Sequence, residues 1–221
     1  MTSLTIENYV KAIYKLTNPA KPPASTGMLA AELEVSPGTV TSMCKTLQES
    51  GLAVYAPYEG IQLTTAGESL ALRIIRRHRL IELFLVDTLD LTWDEVHDEA
   101  ENMEHAVSEM LVDRIDQYLG FPKVDPHGDP IPTADGDVDE TELKNLAEWN
   151  LGGRFRLVRV LDQSPEFLRF LSDSGLPLGT EGRVSRIQES SGAIAIDVNN
   201  QETKLARSAA EKLLVAGPET K

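Results

Sequence analysis

Apolar residues recur along this chain in two rhythms, mostly three-to-four up to about residue 119, with one alternating stretch at 52–64, and mostly two beyond about residue 153. Over residues 4–17 the apolar positions 6, 9, 10, 13 and 16 form one helical stripe. The proline-rich run Asn18–Pro23 breaks it. A second helix opens near Ser25 or Thr26 and runs through Met28 to Leu33. Val35-Ser36-Pro37 restarts the chain, because Ser36 can cap a following helix and Pro37 is pre-shaped for its first turn. That third helix, Gly38 to Glu49, buries Val40, Met43, Cys44 and Leu47, and Gly51 stops it. Leu52–Tyr55 and Gly60–Thr64 then alternate as strands around Pro57–Gly60. Two short helices across a tight turn, followed at once by a hairpin, predict a winged helix-turn-helix.

A long helix is expected from Thr64 or Thr65, with Glu68 placed for a capping box from Thr65, extending through Arg73–Leu80 to Val86. Thr92-Trp-Asp-Glu95 is a second capping box, launching a helix that continues through Met110–Leu119 to Gly120. Its residues Val107, Leu111, Ile115 and Leu119 make more apolar stripe than one helix pair needs, which suits a homodimer interface; an intrachain core is the alternative. Residues 121–132 are rich in proline and glycine, and 133–152 are acidic around a short helix expected over Thr141–Trp149. Beyond Gly153 come strand-like runs at Phe155–Val160, Gly182–Ile187, Ala193–Val198 and Glu202–Ala206, with a short helix Pro165–Ser174 ended by Gly175. Small strands with tight turns predict a compact β-barrel. The fold class is therefore α+β and mostly helical. A winged-helix domain is expected over 1–64, a helical metal-binding and dimerisation domain over 65–140, a linker over 141–152 and the small β-barrel over 153–217.

Composition narrows the class. Of 221 residues, 41 % are hydrophobic and 25 % charged, an ordinary globular balance. There is no apolar run of membrane-spanning length and no basic, apolar leader, so no membrane partner is expected. The single cysteine, Cys44, excludes an internal disulfide framework and makes a cytoplasmic location the default. The net charge of −14 is uneven: residues 1–80 carry +2 and the remainder −16. That asymmetry suits a first segment that meets phosphates and a remainder that does not.

The chemistry concentrates between residues 78 and 127, which hold all four histidines. At about 100° per residue, His97, Glu101, Glu104 and His105 fall within roughly one 100° arc of a helix. One helix upstream, His78 and Glu82 repeat the pairing at i, i+4. Nitrogen and oxygen ligands converging from two helices suit a divalent first-row metal. In the helix-turn-helix, Ser36, Pro37, Thr39, Thr41 and Ser42 occupy the N-terminal turns that can enter a major groove, and Lys45 can reach a phosphate.

Arg77–Glu82, Val96–His105 and Gly120–Pro132 closely resemble motifs of the diphtheria-toxin-repressor family of metal-dependent transcriptional regulators, especially its manganese-responsive branch. The resemblance covers nearly the whole chain. From about residue 153 the sequence is similar to the SH3-like domain shared with ferrous-iron-transport A proteins. It implies a homodimer that binds a palindromic double-stranded operator when loaded with metal. It implies a primary metal site of Glu101, Glu104 and His105, completed by a residue of the first helix. That residue is Asn8 here, a neutral departure from the aspartate or methionine of relatives, with Glu7 as the fallback. A second site is implied for His78, Glu82 and His97, with Glu166 and either Asp162 or Gln163 from the C-terminal domain. The turn carrying Asp125 and His127 is a further donor, Asp125 standing where relatives have cysteine. Iron-responsive relatives carry cysteine where this chain has Glu101, so the harder donor favours Mn²⁺ as the cofactor, with Fe²⁺ second.

The expected mechanism is a population shift: without metal the carboxylates repel one another and leave the first helix free, and the ion ties that helix down. Two rivals belong to other classes. One is a winged-helix regulator that senses an organic ligand. The other is a metal-dependent hydrolase, for which Glu101-x-x-Glu104-His105 lacks the first histidine of the nearest protease spelling.

Overall fold

The computed structural model of the chain describes residues 4–17, 22–139, 141–188 and 192–217. The break expected at Asn18–Pro23 lies outside the described residues at 18–21. The chain forms two compact units. The first takes Met1–His78 with Glu104–Val107 and Pro132–Val138; the second takes Arg79–Met103, Ser108–Ile131 and Asp139–Lys221.

In the first unit, α1 (Leu4–Leu16), α2 (Thr26–Glu32) and α3 (Pro37–Glu49) precede a hairpin of β1 (Ala53–Ala56) and β2 (Gly60–Leu63). Ser25 Oγ accepts from Met28 N at 3.2 Å, and Ser36 Oγ accepts from Thr39 N at 3.2 Å, so both helices of the helix-turn-helix start on serine caps. Gly51, at φ +72°, ends α3 as expected. The hairpin pairs Ala53 with Leu63 and Ala56 with Gly60, and Ala24 bridges to Ile61 beside it. Tyr9, Val10, Ile13, Leu29, Val40, Cys44, Leu47, Ile61 and Ile74 form one core under the helices and the wing. α4 (Thr65–Leu89) starts on this core. Its cap is Thr64 rather than Thr65: the Thr64 hydroxyl accepts from Gly67 N at 3.2 Å.

The single helix expected from Thr92 to Leu119 is two. α5 (Val96–Glu104) ends, a turn follows at 105–107, and α6 (Glu109–Tyr118) begins on Ser108, whose Oγ accepts from Leu111 N. A serine hydroxyl that caps the new helix competes with continuation of the old one. His105 therefore sits in the turn just past α5, and the candidate ligand atoms of Glu101, Glu104 and His105 still lie within 4.8 Å of one another. The apolar stripe is divided too. Ile115 is buried, whereas Met110, Leu111, Tyr118 and Phe121 are exposed.

The second unit ends in a six-stranded antiparallel sheet of order β3-β8-β4-β5-β6-β7. Its strands are β3 (Lys144–Asn145), β4 (Arg154–Val160), β5 (Glu181–Gln188), β6 (Ala193–Val198), β7 (Gln201–Ala206) and β8 (Leu213–Ala216). Helices α7 (Pro165–Asp173) and α8 (Arg207–Ala210) join them. The expected barrel is an open sheet among the described residues. β3 and β7 are its two edges, and the two-residue β3 pairs only with β8. The helix expected over Thr141–Trp149 is β3 followed by a 3-10 turn, Leu146–Glu148. Pairing of Lys144 and Asn145 with Val215 and Leu214 takes up backbone groups that a helix would need. Phe155, Leu157, Leu168, Leu171, Val184, Ile194, Ile196 and Leu213 make the core of this sheet.

The turn Asp125–Asp129 is docked on β4. Asp125 Oδ1 accepts from His127 N at 2.8 Å and Asp129 N at 2.9 Å, and the His127 carbonyl accepts from Val160 N at 2.9 Å. Gly128, at φ +85°, lies so close to the strand that a Cβ would overlap the Val158 carbonyl oxygen. Gly128→Ala is therefore expected to destabilise the protein by about 2 kcal/mol or more, from backbone strain and forced separation of the turn from β4. A melting temperature within a degree of the wild type in thermal unfolding would contradict this.

Candidate metal centre

In the first unit the site is built around Glu104, whose side chain has no exposed surface. Lys11, one turn beyond Glu7 on α1, places Nζ 3.0 and 2.9 Å from the two Glu104 carboxylate oxygens. His78 Nδ1, from α4, lies 2.7 Å from Glu104 Oε2, and His105 Nε2 lies 3.3 Å from Oε1. Arg77 donates to the Glu104 main-chain carbonyl at 2.7 Å. Burial alone would raise the Glu104 carboxyl, but the hydrogen bond from His78 and the charges of Lys11 and His78 hold it below the usual value.

The expectation of a bare, self-repelling acidic face is thus corrected at this residue, because Glu104 has a buried lysine as counter-charge. Glu7 is also engaged: its Oε2 lies 2.7 Å from His105 Nδ1 and 3.9 Å from Arg77. Asn8 differs, since its buried Oδ1 has no hydrogen-bond partner. Glu101 stands one helical turn before Glu104 on α5, with its carboxylate 4.0 Å from His97 Nε2.

In the second unit Glu82, Asp125 and His127 are all buried, and their candidate ligand atoms lie within 4.8 Å of one another. His127 Nε2 donates to the Trp93 carbonyl at 2.7 Å. That bond puts a proton on Nε2 and turns Nδ1, which has no hydrogen-bond partner, toward Glu82 Oε2 at 3.9 Å. A ring nitrogen and a carboxylate oxygen facing each other at that distance suit a cation between them. Burial, then the Asp129 and Glu82 charges, push the Asp125 carboxyl up to about 8, against a smaller opposing effect of Arg79. His97 Nδ1 lies 3.2 Å from Glu82 Oε1. Glu166 is exposed on the first turn of α7 and is not part of this group. Asp162 is bound to Lys212 and the Ser164 amide, and Gln163 donates to Asp129.

The residues expected to meet DNA lie on α3 and its cap. Ser36 and Thr39 share a hydroxyl contact of 2.8 Å, and the Thr41 hydroxyl donates to the Pro37 carbonyl at 2.9 Å. Pro37, Ser42 and Lys45 are exposed. Thr41 and Lys45 line a hollow of about 420 Å³ between α3 and the wing, together with Ser25, Thr26, Tyr55 and Tyr58. Sequence reasoning missed Tyr58, fully exposed at the wing tip with φ +70°, and also Lys11. An aromatic beside Pro57 in a tight turn was the available signal for the first; Lys11 had none.

Residues 1–61 match the family described as iron dependent repressor, N-terminal DNA binding domain. Residues 64–133 match the iron dependent repressor, metal binding and dimerisation domain, and residues 144–217 match the FeoA domain. The iron-dependent repressor IdeR of Mycobacterium tuberculosis is 37 % identical over 161 residues, 70 % of each chain. The diphtheria toxin repressor of Corynebacterium glutamicum is 32 % identical over 213 residues, 91 % of each. IdeR of Mycobacterium leprae is 38 % identical over 128 residues, 58 % of this chain and 55 % of that one. Among solved structures, a manganese-dependent transcriptional repressor in complex with manganese superposes with a TM-score of 0.87 at 38 % identity, covering 96 % of this chain and all of that one. No helix is long and apolar enough to cross a membrane among the described residues. With three consecutive domain matches and relatives of this identity and coverage, the chain belongs to the iron-dependent repressor family of metal-dependent transcriptional repressors, not to the metal hydrolases.

Proposed function

We propose that the chain is a repressor switched on by Mn²⁺, with Fe²⁺ as the second choice, and that it acts as a homodimer on a palindromic operator in the cytoplasm. The ion's ligands are Glu101, Glu104, His105 and the amide oxygen of Asn8. The observation that carries this reading is that Glu104 and His105 lie in the same compact unit as the helix-turn-helix and contact α1 directly, through Lys11 and Glu7. A divalent ion bound there supplies positive charge between the ligand residues and α1.

The chain's own groups are arranged for that role. Glu7 occupies His105 Nδ1, so Nε2 is the ring nitrogen left to a metal, a carboxylate–histidine pairing that orients such ligands. The orphaned Asn8 Oδ1 is the α1 oxygen still seeking a partner, which favours Asn8 over Glu7 as ligand. Glu82, Asp125 and His127 form the core of a second site, with His97 against Glu82. Oxygen-rich donors without thiolate support Mn²⁺ over softer ions. The manganese complex of the structural relative points the same way. Met110, Leu111, Tyr118 and Phe121 offer the exposed apolar surface of a dimer contact. Ser36, Pro37, Thr39, Thr41, Ser42 and Lys45 face the operator. An ion favours the DNA-binding state only by the difference between its affinities for the two states, and that difference arises here in the position of α1.

His105→Ala and Glu104→Gln are expected to abolish Mn²⁺-dependent binding to DNA selected from a random pool by the loaded wild type. The dimer should persist in both. Glutamine is chosen because it keeps the Glu104 volume and an oxygen for Lys11 to donate to; it removes the counter-charge, so thermal unfolding is run beside the gel shift to show that the variant is folded. Wild-type metal dependence in gel-shift titrations of either variant would remove these residues from the site. Glu101→Cys is expected to move relative affinity toward Zn²⁺, since a thiolate replaces a hard carboxylate; unchanged Mn²⁺ to Zn²⁺ ratios in calorimetry would show that residue 101 does not select the ion. Asn8→Asp adds a charge to the site and is expected to bring operator binding to lower Mn²⁺ without any gain in metal-free binding. Should Asn8→Ala change neither the metal nor the DNA titration, α1 is coupled through another residue.

A further inference from the structure

Lys11 has no part in the ligand set, yet it engages both carboxylate oxygens of Glu104. A lysine ammonium is strongly hydrated and is almost never fully buried unless paired. Here the residue is 5 % exposed, and Nζ spans both oxygens of Glu104 at 3.0 and 2.9 Å with His78 Nδ1 at 3.3 Å. Glu104 is fully buried. Either charge left behind without the other would be strongly destabilising. The ammonium therefore holds the carboxylate in the bidentate position, the face a divalent ion would also claim. Two cations compete for that face. Either the ammonium moves off, or the ion binds beside it against Coulomb repulsion in a poorly screened interior. Both routes weaken the net affinity for the ion.

We propose that the Lys11 ammonium is a resident cation of this centre, interchangeable with a divalent ion as the charge partner of Glu104, and that it sets the ion concentration at which the centre loads. The proposal rests on Glu104 being a metal ligand. Loading is then the exchange of one cation for another, not the neutralisation of a bare acidic cluster. Because Lys11 belongs to α1, whichever cation holds Glu104 also decides how that helix is fastened within the DNA-binding unit.

The test compares the full-length wild type, Lys11→Met and Lys11→Arg by calorimetric titration with MnCl₂ and by thermal unfolding with and without Mn²⁺. Methionine keeps an unbranched stem without the charge. Lys11→Met is expected to bind Mn²⁺ at least roughly tenfold more tightly than the wild type, and Lys11→Arg within about threefold of it. Lys11→Met should also melt lower without the ion and gain more on adding it than the wild type gains. Folding of Lys11→Met only when Mn²⁺ is present would equally support the proposal, since the ion would then be replacing the lysine. Unchanged or weaker Mn²⁺ binding by Lys11→Met overturns it, as does failure to fold with Mn²⁺ present; either outcome leaves Lys11 a structural residue. A wild type that binds no Mn²⁺ overturns the ligand assignment together with the proposal, so the two failures are told apart.

Discussion

The first unit depends on keeping one carboxylate charged where water cannot reach it. Glu104 has no exposed side-chain surface, and its charge is tolerated because Lys11, His78 and His105 surround it. Those partners come from α1, α4 and the turn after α5. Helix α1 of the DNA-binding unit and the residues that offer themselves to a metal are therefore joined through polar contacts, Lys11 with Glu104 and Glu7 with His105. Hydrophobic packing alone would seat α1 through Tyr9, Val10 and Ile13. The charge pair fixes where the opposite side of that helix lies.

The two candidate sites balance their charge differently. In the first, a lysine compensates a buried glutamate whose carboxyl stays ionised. In the second, burial and two neighbouring carboxylates push Asp125 up to about 8, against the opposing charge of Arg79 3.6 Å away. The second site is also anchored through its backbone. Its Asp125–Asp129 turn is closed by the aspartate's own oxygen and fixed to β4, and the Trp93 carbonyl sets the tautomer of His127.

Much of this was legible from residue order, and the exceptions have physical causes. The winged helix could be read because its signals are local: serine caps, Pro37 at a first turn, Gly51 at a stop and a strongly alternating hairpin. The candidate donors Glu101, Glu104 and His105 stood out because histidines are few and clustered and helical spacing put these residues on one face with His97. The break after Glu104 was hidden, since apolar spacing runs through residues 105–108 and only the Ser108 cap marks it. The open sheet was hidden because strand count does not reveal whether two edges meet. Lys11 was hidden most completely. Four residues after Glu7, it completes a pattern typical of a solvated helix face, and burial beside a glutamate 93 positions away leaves no local trace.

The hydroxyls at the start of α3 are largely engaged by their own helix, Ser36 with Thr39 and Thr41 with the Pro37 carbonyl, while Gln48 accepts from the Tyr55 amide. The helix carries no arginine or asparagine, the side chains, together with glutamine, that grip guanine or adenine edges in pairs of hydrogen bonds. Laid in a major groove, such a surface offers methyl groups and short hydroxyls to thymine methyls and leaves Lys45 for the backbone. Discrimination between sequences then falls on groove width and on the ease with which DNA bends to meet the wing. A protein of this kind tells its operator from other DNA mainly by fit.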